Sequence, residues 1–185
     1  IVHPDAFDVL PALVRSFDEP FADHSAIPMY YLSRSAREHV TVCLTGDGGD
    51  EVFGGYNSYV NGLRRHRSDA LPGWIRSLVL QPAFRLAPSG FSLKEPLFHL
   101  GADTVRRHGW NLSSGGFSWA DKPSLLSTDV RRQITSADAS YDLLGAAARE
   151  VASSDTLTTL QHMDLMTYLP EDILVKVDRM TMAHS

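Results

Sequence analysis

The chain has 185 residues, a net charge of −5 and 43% hydrophobic residues, enough apolar surface for a packed core and too little charge imbalance for a disordered chain. The acidic balance excludes the broad basic face of a nucleic-acid binder, leaving Arg64, Arg65, His66 and Arg67 as one local cluster at a solvated helix end. A single cysteine excludes an intrachain disulfide and a cysteine-rich zinc site, and no apolar run reaches membrane-spanning length; no nucleic acid and no membrane are expected as partners, and the chain reads as soluble and cytoplasmic.

Phe7, Leu10, Leu13, Val14 and Phe17 recur at helical spacing and predict a core-facing helix that starts close to Pro11. In "DEPFADHSAIP", Ser25 is placed to cap a second helix with Pro28 in its first turn and Met29, Leu32 and Ala36 on one face. Val40 to Leu44 is too apolar for a strand with one face in water and predicts a buried, parallel strand, with Cys43 inside it as an inert thiol. A helix leaves the next loop near Gly49, breaks at Gly54 and Gly55, and resumes through Tyr56 and Tyr59.

Prolines 72, 82, 88 and 96 divide the following stretch, where one helix is expected from Gly73 to Leu86. "RRHGWNLSSGGFSWADKP" reads as a loop anchored by Trp110, Phe117 and Trp119. Ser127, Ser136 and Ser153 or Asp155 mark helix ends, and Tyr141 to Val151 is helical. Asp155 caps a helix with Leu157, Leu160, Met163 and Met166 on one face, stopping before Pro170. Pro170, Glu171 and Asp172 begin a last helix in which Ile173, Leu174, Val177, Met180 and Thr181 point inward and Lys176, Asp178 and Arg179 elsewhere. One strand among many helices leaves backbone groups unpaired on both edges, so its neighbours are expected outside this sequence. The first residue, Ile1 rather than Met, points the same way, to a piece of a longer protein.

The loop "TGDGGDE" after the strand joins glycines to acids. Gly46, Gly48 and Gly49 let backbone N–H groups approach a ligand, as phosphate loops require. Asp47, Asp50 and Glu51 would repel a phosphate unless a hard cation such as Mg²⁺ stood between them. Taken alone, the loop is equally an acidic turn capping a helix. A calcium loop fits less well, because the acids do not alternate as an EF-hand demands.

"DEPFADHSAIP", "TGDGGDEVFGGY" and "YLPEDILVKVDRMTMAHS" together resemble three successive motifs in the synthetase domain of glutamine-dependent asparagine synthetases and their relatives, among them β-lactam synthetases, lasso-peptide cyclases and amidotransferases of polysaccharide gene clusters. The resemblance is dense in those three stretches and thin from Leu71 to Ser154. It implies an α/β parent fold, adenine-nucleotide-hydrolase-like, with a parallel sheet flanked by helices; the present residues would form a mostly α-helical part with few parallel strands. It also implies ATP and Mg²⁺, a carboxylic acid activated as its adenylate, and ammonia delivered by a glutaminase domain; it admits a homodimer.

By the same resemblance, the amides of Thr45 and Gly46, with Gly48 beside them, would hold phosphate oxygens and Asp50 would ligate Mg²⁺ on the pyrophosphate. Asp47 matches an acidic position that takes a proton from the attacking amine. Lys176, in "KVDR", would neutralise charge near the phosphates or serve only at the surface or in helix pairing. Ser25 and Ala26 line the cleft in the family, or form an ordinary cap. Glu51 would support the loop or the helix start. His24 and His184 are acid–base candidates by residue type alone and are not assigned a role.

Two family features are expected outside the chain: a Ser-Gly-Gly-x-Asp-Ser pyrophosphate loop upstream of Ile1 and a Glu-x-Arg-x-Pro segment after Ser185. "SSGGFSWA" mimics the first without a preceding strand or the needed aspartate, and no N-terminal catalytic cysteine is present. Residues 1–185 are thus expected to form a partial C-terminal synthetase domain, inactive by itself. The rival expectation is a non-catalytic module that keeps the fold to bind a nucleotide or a partner.

Overall fold

The structure is a computed structural model and describes residues 5–65, 70–88, 91–112, 125–133, 139–151 and 155–185. In chain order its helices are α1 (Ala6–Phe17), α2 (Ala26–Arg37), α3 (Gly49–Phe53), α4 (Asn57–Arg65) and α5 (Gly73–Ile75), which runs through a π-helical stretch, Arg76–Leu80, into α6 (Gln81–Leu86). There follow α7 (Lys94–Gly101), α8 (Thr104–Leu112), α9 (Thr128–Gln133), α10 (Ala139–Glu150), α11 (Thr156–Met166), a second π-helical stretch, Leu169–Ile173, and α12 (Leu174–Met182). The chain divides into two compact units, residues 1–49 with 167–185, and residues 50–166.

In the first unit Val9, Leu13 and Phe17 of α1 meet Ala26 of α2 and Met180 of α12, with Met29, Tyr30 and Val175 packed around them. Of the residues expected to face inward, Leu13 and Phe17 are buried, whereas Phe7, Leu10 and Val14 are exposed and Val9 is buried in their stead. The helix carries two apolar stripes, and α2 and α12 cover the one that includes Val9. Pro11 lies well inside α1 rather than near its start. The cost of its missing N–H is offset at the N-terminus, where the Asp5 carboxylate accepts from the Phe7 N–H at 2.9 Å and the Tyr31 hydroxyl donates to the Asp5 carbonyl at 3.0 Å.

The strand expected at Val40 to Leu44 is not formed. These residues are irregular and face solvent, Val42 being 79% and Leu44 98% exposed, and Cys43 is exposed rather than buried. A strand is held by ladder bonds to a neighbour, and no strand exists among the described residues to supply them. Helices are accordingly the only regular elements among the described residues, without the few parallel strands that were expected.

The second unit has two apolar clusters. Leu144, Ala147 and Ala148 of α10 pack with Met163 of α11; Phe84 and Phe98 pack with Ala102, and Trp110 lies 4.3 Å from the Phe98 ring. The break expected at Gly54 and Gly55 occurs between α3 and α4, with Gly54 at φ +70. Ser127 and Asp155 act at helix starts as expected, accepting from the N–H groups of Val130 and Thr158.

The second π-helical stretch contains Pro170, and the first ends two residues before Pro82, which lies in α6. Gln81 N–H donates to the Arg76 carbonyl and Leu174 N–H to the Leu169 carbonyl, so the chain passes Pro170 in a wider register where a proline's missing donor and bulky ring are tolerated. The end expected before Pro170 is found: α11 stops at Met166, and the second π-helical stretch begins at Leu169. His66, Arg67, Phe117, Trp119, Ser136, Ser153 and the whole of "SSGGFSWA" lie outside the described residues.

Met180 is fully buried at the junction of α1, α2 and α12. Met180→Ala is expected to lower the unfolding free energy by about 2–5 kcal/mol in denaturant titration.

Candidate functional site

The first unit gathers parts of all three sequence motifs. The loop before α3 turns where the Gly49 N–H donates to the Gly46 carbonyl at 3.0 Å. Gly48 sits at φ +86, in the region that disfavours side chains, and its Cα faces the Leu169 side chain, where an added Cβ would lie 3.6 Å away. The Thr45 hydroxyl donates to Asp47 Oδ2 at 2.6 Å, and both residues are exposed. The N–H groups of Thr45 and Gly46 have no acceptor among the described residues, so these donors remain available in a glycine-rich turn.

Lys176 is not a surface residue. It lies on the inward stripe of α12 with Met180, 9% exposed, and its Nζ donates to Asp23 Oδ2 and to Ser25 Oγ, each at 2.7 Å. Ser25 in turn gives its hydroxyl to Asp23 Oδ2 at 2.6 Å and its N–H to Asp23 Oδ1 at 2.8 Å. The cap expected from Ser25 is therefore absent: its side chain makes no capping bond to α2 and serves the carboxylate and the lysine instead. No hydrogen bond or ion pair joins Lys176 to the glycine loop among the described residues.

The two acids near Lys176 are driven in opposite directions. Burial alone would raise Asp23, but the hydrogen bond from Lys176, those from Ser25 and the lysine charge together hold its carboxyl below the usual value of 3.8. Asp172, one helical turn before Lys176, is raised above 3.8 by burial and by the negative charge of Asp23, with Lys176 offsetting only part of this. Sequence reading passed over both acids. The signals were there: Asp23 stands two residues before Ser25, and Asp172 is four before Lys176 on one helical run.

His184, by contrast, is a packing residue. Its ring lies 4.3 Å from the Tyr30 ring, edge to face, and burial with the nearby Arg34 charge lowers its pKa, favouring a neutral ring.

The second unit begins with Asp50, whose carboxylate is exposed. Its Oδ1 lies against the Cα of Gly55, where no Cβ would fit, and its carbonyl accepts the Gly55 N–H at 2.9 Å. Glu51 points the other way, fully buried, with Oε1 accepting from the Tyr56 hydroxyl at 2.7 Å and Oε2 without a partner among the described residues. The end of α3 is gripped by Gln161 of α11, whose Nε2 donates to the carbonyls of Glu51 and Val52 at 2.9 and 2.8 Å. One turn further along α11, buried Asp164 accepts from the Tyr59 hydroxyl at 2.7 Å and lies 2.6 Å from His108 Nε2. Burial and the Asp164 contact raise the Tyr59 pKa, so the phenol stays a neutral donor. Sequence reading did not find this network, because a tyrosine, a histidine and an aspartate 105 and 56 residues from their partners form no local pattern.

No group of three or more His, Cys, Asp or Glu able to hold a metal occurs among the described residues. Mg²⁺ does not need one: it keeps several waters and is commonly held by one or two carboxylates plus substrate phosphates. An exposed Asp50 carboxylate fits that pattern, and buried Glu51 does not. No helix of the described residues is long and apolar enough to cross a membrane.

Over its whole length, residues 1–185, the sequence matches the profile of the family described as asparagine synthase. The chain belongs to the asparagine synthase family. It is 30% identical over 190 residues to the asparagine synthetase [glutamine-hydrolyzing] 1 of Bacillus subtilis, covering 100% of this chain and 28% of that protein. It is 36% identical over 186 residues to a putative asparagine synthetase [glutamine-hydrolyzing] of Mycobacterium bovis, covering 100% of this chain and 27% of that one. A putative asparagine synthetase [glutamine-hydrolyzing] 2 of Methanocaldococcus jannaschii is 53% identical over 60 residues, 32% of this chain and 12% of that protein. The chain thus spans little more than a quarter of the length of the first two relatives. No solved structure gives a significant match.

Two predictions follow from the geometry of the first unit. The folded-state pKa of Asp23 lies below 3.8, so its stabilising contribution is complete above pH 3.8 and is lost as the pH falls through the folded value. Asp172 has the opposite sign: its folded pKa lies above 3.8, so its penalty is absent below that pH and complete once the pH has risen through the folded value. At pH 7, urea midpoints should fall for Asp23→Asn and rise for Asp172→Asn, both differences shrinking at pH 3. Gly48→Ala, at φ +86, should cost about 1–2 kcal/mol in the same titration.

Proposed function

We propose that the chain is a partial C-terminal synthetase domain of a glutamine-dependent amidotransferase. In the proposed reaction an oxygen of a carboxylic acid attacks the α-phosphorus of ATP, pyrophosphate leaves, and an acyl-adenylate forms. Ammonia, released from glutamine by a separate glutaminase domain, then attacks the acyl carbon, expels AMP and gives the amide. Aspartate is the default acid, because the relatives are named asparagine synthetases; the product would then be asparagine, made in the cytoplasm.

The observation that carries this reading is the meeting of Lys176 with Asp23 and Ser25 across 153 and 151 residues of chain. It joins the first and last of the three motifs, while Gly48 against Leu169 brings the second to the third. A cation held inward by a carboxylate, in the same unit as a turn with unspent N–H donors, is chemistry suited to a polyphosphate.

In this scheme the amides of Thr45 and Gly46 bind phosphate oxygens, and Gly48 gives the turn its backbone conformation. Lys176 supplies positive charge towards the nucleotide. Asp47, its carboxylate oriented by the Thr45 hydroxyl, accepts the proton that the attacking amine must lose. Asp50 is the carboxylate for Mg²⁺, which when bound would neutralise the negative charge of the leaving pyrophosphate. The 185 residues by themselves are proposed to be inactive, since they amount to about a quarter of the relatives' length.

The test is exchange of labelled pyrophosphate into ATP by the full-length protein, with aspartate and other carboxylic acids in turn. Exchange that depends on an acid and falls by roughly 10²–10³ in Asp50→Ala supports the proposal. Absence of exchange with every acid, alongside retained nucleotide binding, would favour a non-catalytic binding module.

A further inference from the structure

The lysine assigned to the nucleotide is itself held, and the residue that holds it has been given no role so far. An amine on a four-carbon stem is mobile in water, and a cation serves a transition state only if its position is fixed beforehand. In this structure the Lys176 stem is buried on α12 and its ammonium is fixed at two points, Asp23 Oδ2 and Ser25 Oγ, both at 2.7 Å.

The holding group is closed on itself. Asp23 Oδ2 accepts from both Lys176 and the Ser25 hydroxyl, Asp23 Oδ1 accepts the Ser25 N–H, and the Ser25 oxygen accepts from Lys176 while its proton goes to Asp23. Every acceptor contact of the carboxylate is therefore turned to Ser25 and the lysine. An ammonium has three N–H donors; two are committed, and the third has no partner among the described residues. Asp172 adds negative charge nearby but makes no hydrogen bond to Lys176.

We propose that Asp23 is a positioning residue: with Ser25 it fixes the Lys176 ammonium, leaving one N–H for an anionic oxygen of the nucleotide's phosphate tail, and does not itself touch the ligand. This rests on the adenylation reading above and adds to it the group that makes Lys176 effective. It follows that the isosteric loss of one charge, Asp23→Asn, releases the lysine without removing it.

Two readouts test the proposal in the full-length protein. The first, independent of activity, is the rate at which Lys176 is acetylated by limiting acetic anhydride, read by peptide mass spectrometry. Held and buried in the wild type, Lys176 should react slowly; in Asp23→Asn it should react several times faster, and Asp23→Glu, which keeps the charge, should restore much of the protection. The second is acid-dependent pyrophosphate exchange: kcat should fall about 10²-fold in Asp23→Asn with the KM for the carboxylic acid little changed, and recover in part in Asp23→Glu. Ser25→Ala, which leaves the ion pair, should lie between, and thermal melts identify any variant that has lost its fold. Unchanged acetylation in a folded Asp23→Asn, or unchanged exchange, overturns the positioning role. A wild type without acid-dependent exchange overturns the adenylation reading instead, and the acetylation rates then decide the positioning contact alone.

Discussion

Burying a lysine is expensive unless its charge is answered, and the first unit is organised around that demand. Lys176 lies on α12 on the face that carries buried Met180, continuing from buried Ile173 at the end of the π-helical stretch. Its ammonium ends at Asp23 and Ser25. The pair fixes which turn of α12 faces the start of α2, and Met180, one turn further on, then completes the cluster with Val9, Leu13 and Phe17. Apolar packing alone would tolerate α12 sliding or rotating by a residue. The ion pair does not, because a slip would leave a largely buried charge without its partner.

The second unit solves a related problem with neutral and acidic hydrogen-bonding groups. Helix α11 presents Gln161 to the last carbonyls of α3 and Asp164 to Tyr59 and His108. A five-residue helix has little stability of its own, so α3, which carries Asp50 and Glu51, depends on that grip. The same constraint sorts the two acids. Glu51 is drawn inward to Tyr56, while the Asp50 side chain is held against Gly55 and stays open to solvent. Only an acid of the second kind suits a hydrated cation.

Exposed apolar residues tell where the described structure is unsatisfied. Val42 and Leu44 lie exposed in an irregular segment without ladder partners among the described residues, and Phe7 and Val14 form an uncovered second stripe on α1. Side chains of this kind gain about 1.5–3 kcal/mol each on full burial. Their chemistry is that of a strand and a helix face without neighbours, in a chain covering 27–28% of its longer relatives.

Local chemistry made much of the molecule legible in advance. The helix after the glycine loop, its break at Gly54 and Gly55, the cap at Asp155 and the alanine-rich α10 follow from residues within one or two turns of each other. The glycine loop and its acids were equally readable, since φ +86 at Gly48 is a property glycine permits by itself. What the sequence could not decide were matters settled by distant partners. Whether Val40 to Leu44 pairs depends on a second strand; whether α1 buries Leu10 or Val9 depends on what lies against it. Lys176 reads as a solvent-facing charge until Asp23, far off in the chain, answers it. Periodicity reports that a face exists, and only tertiary structure supplies the group that covers it.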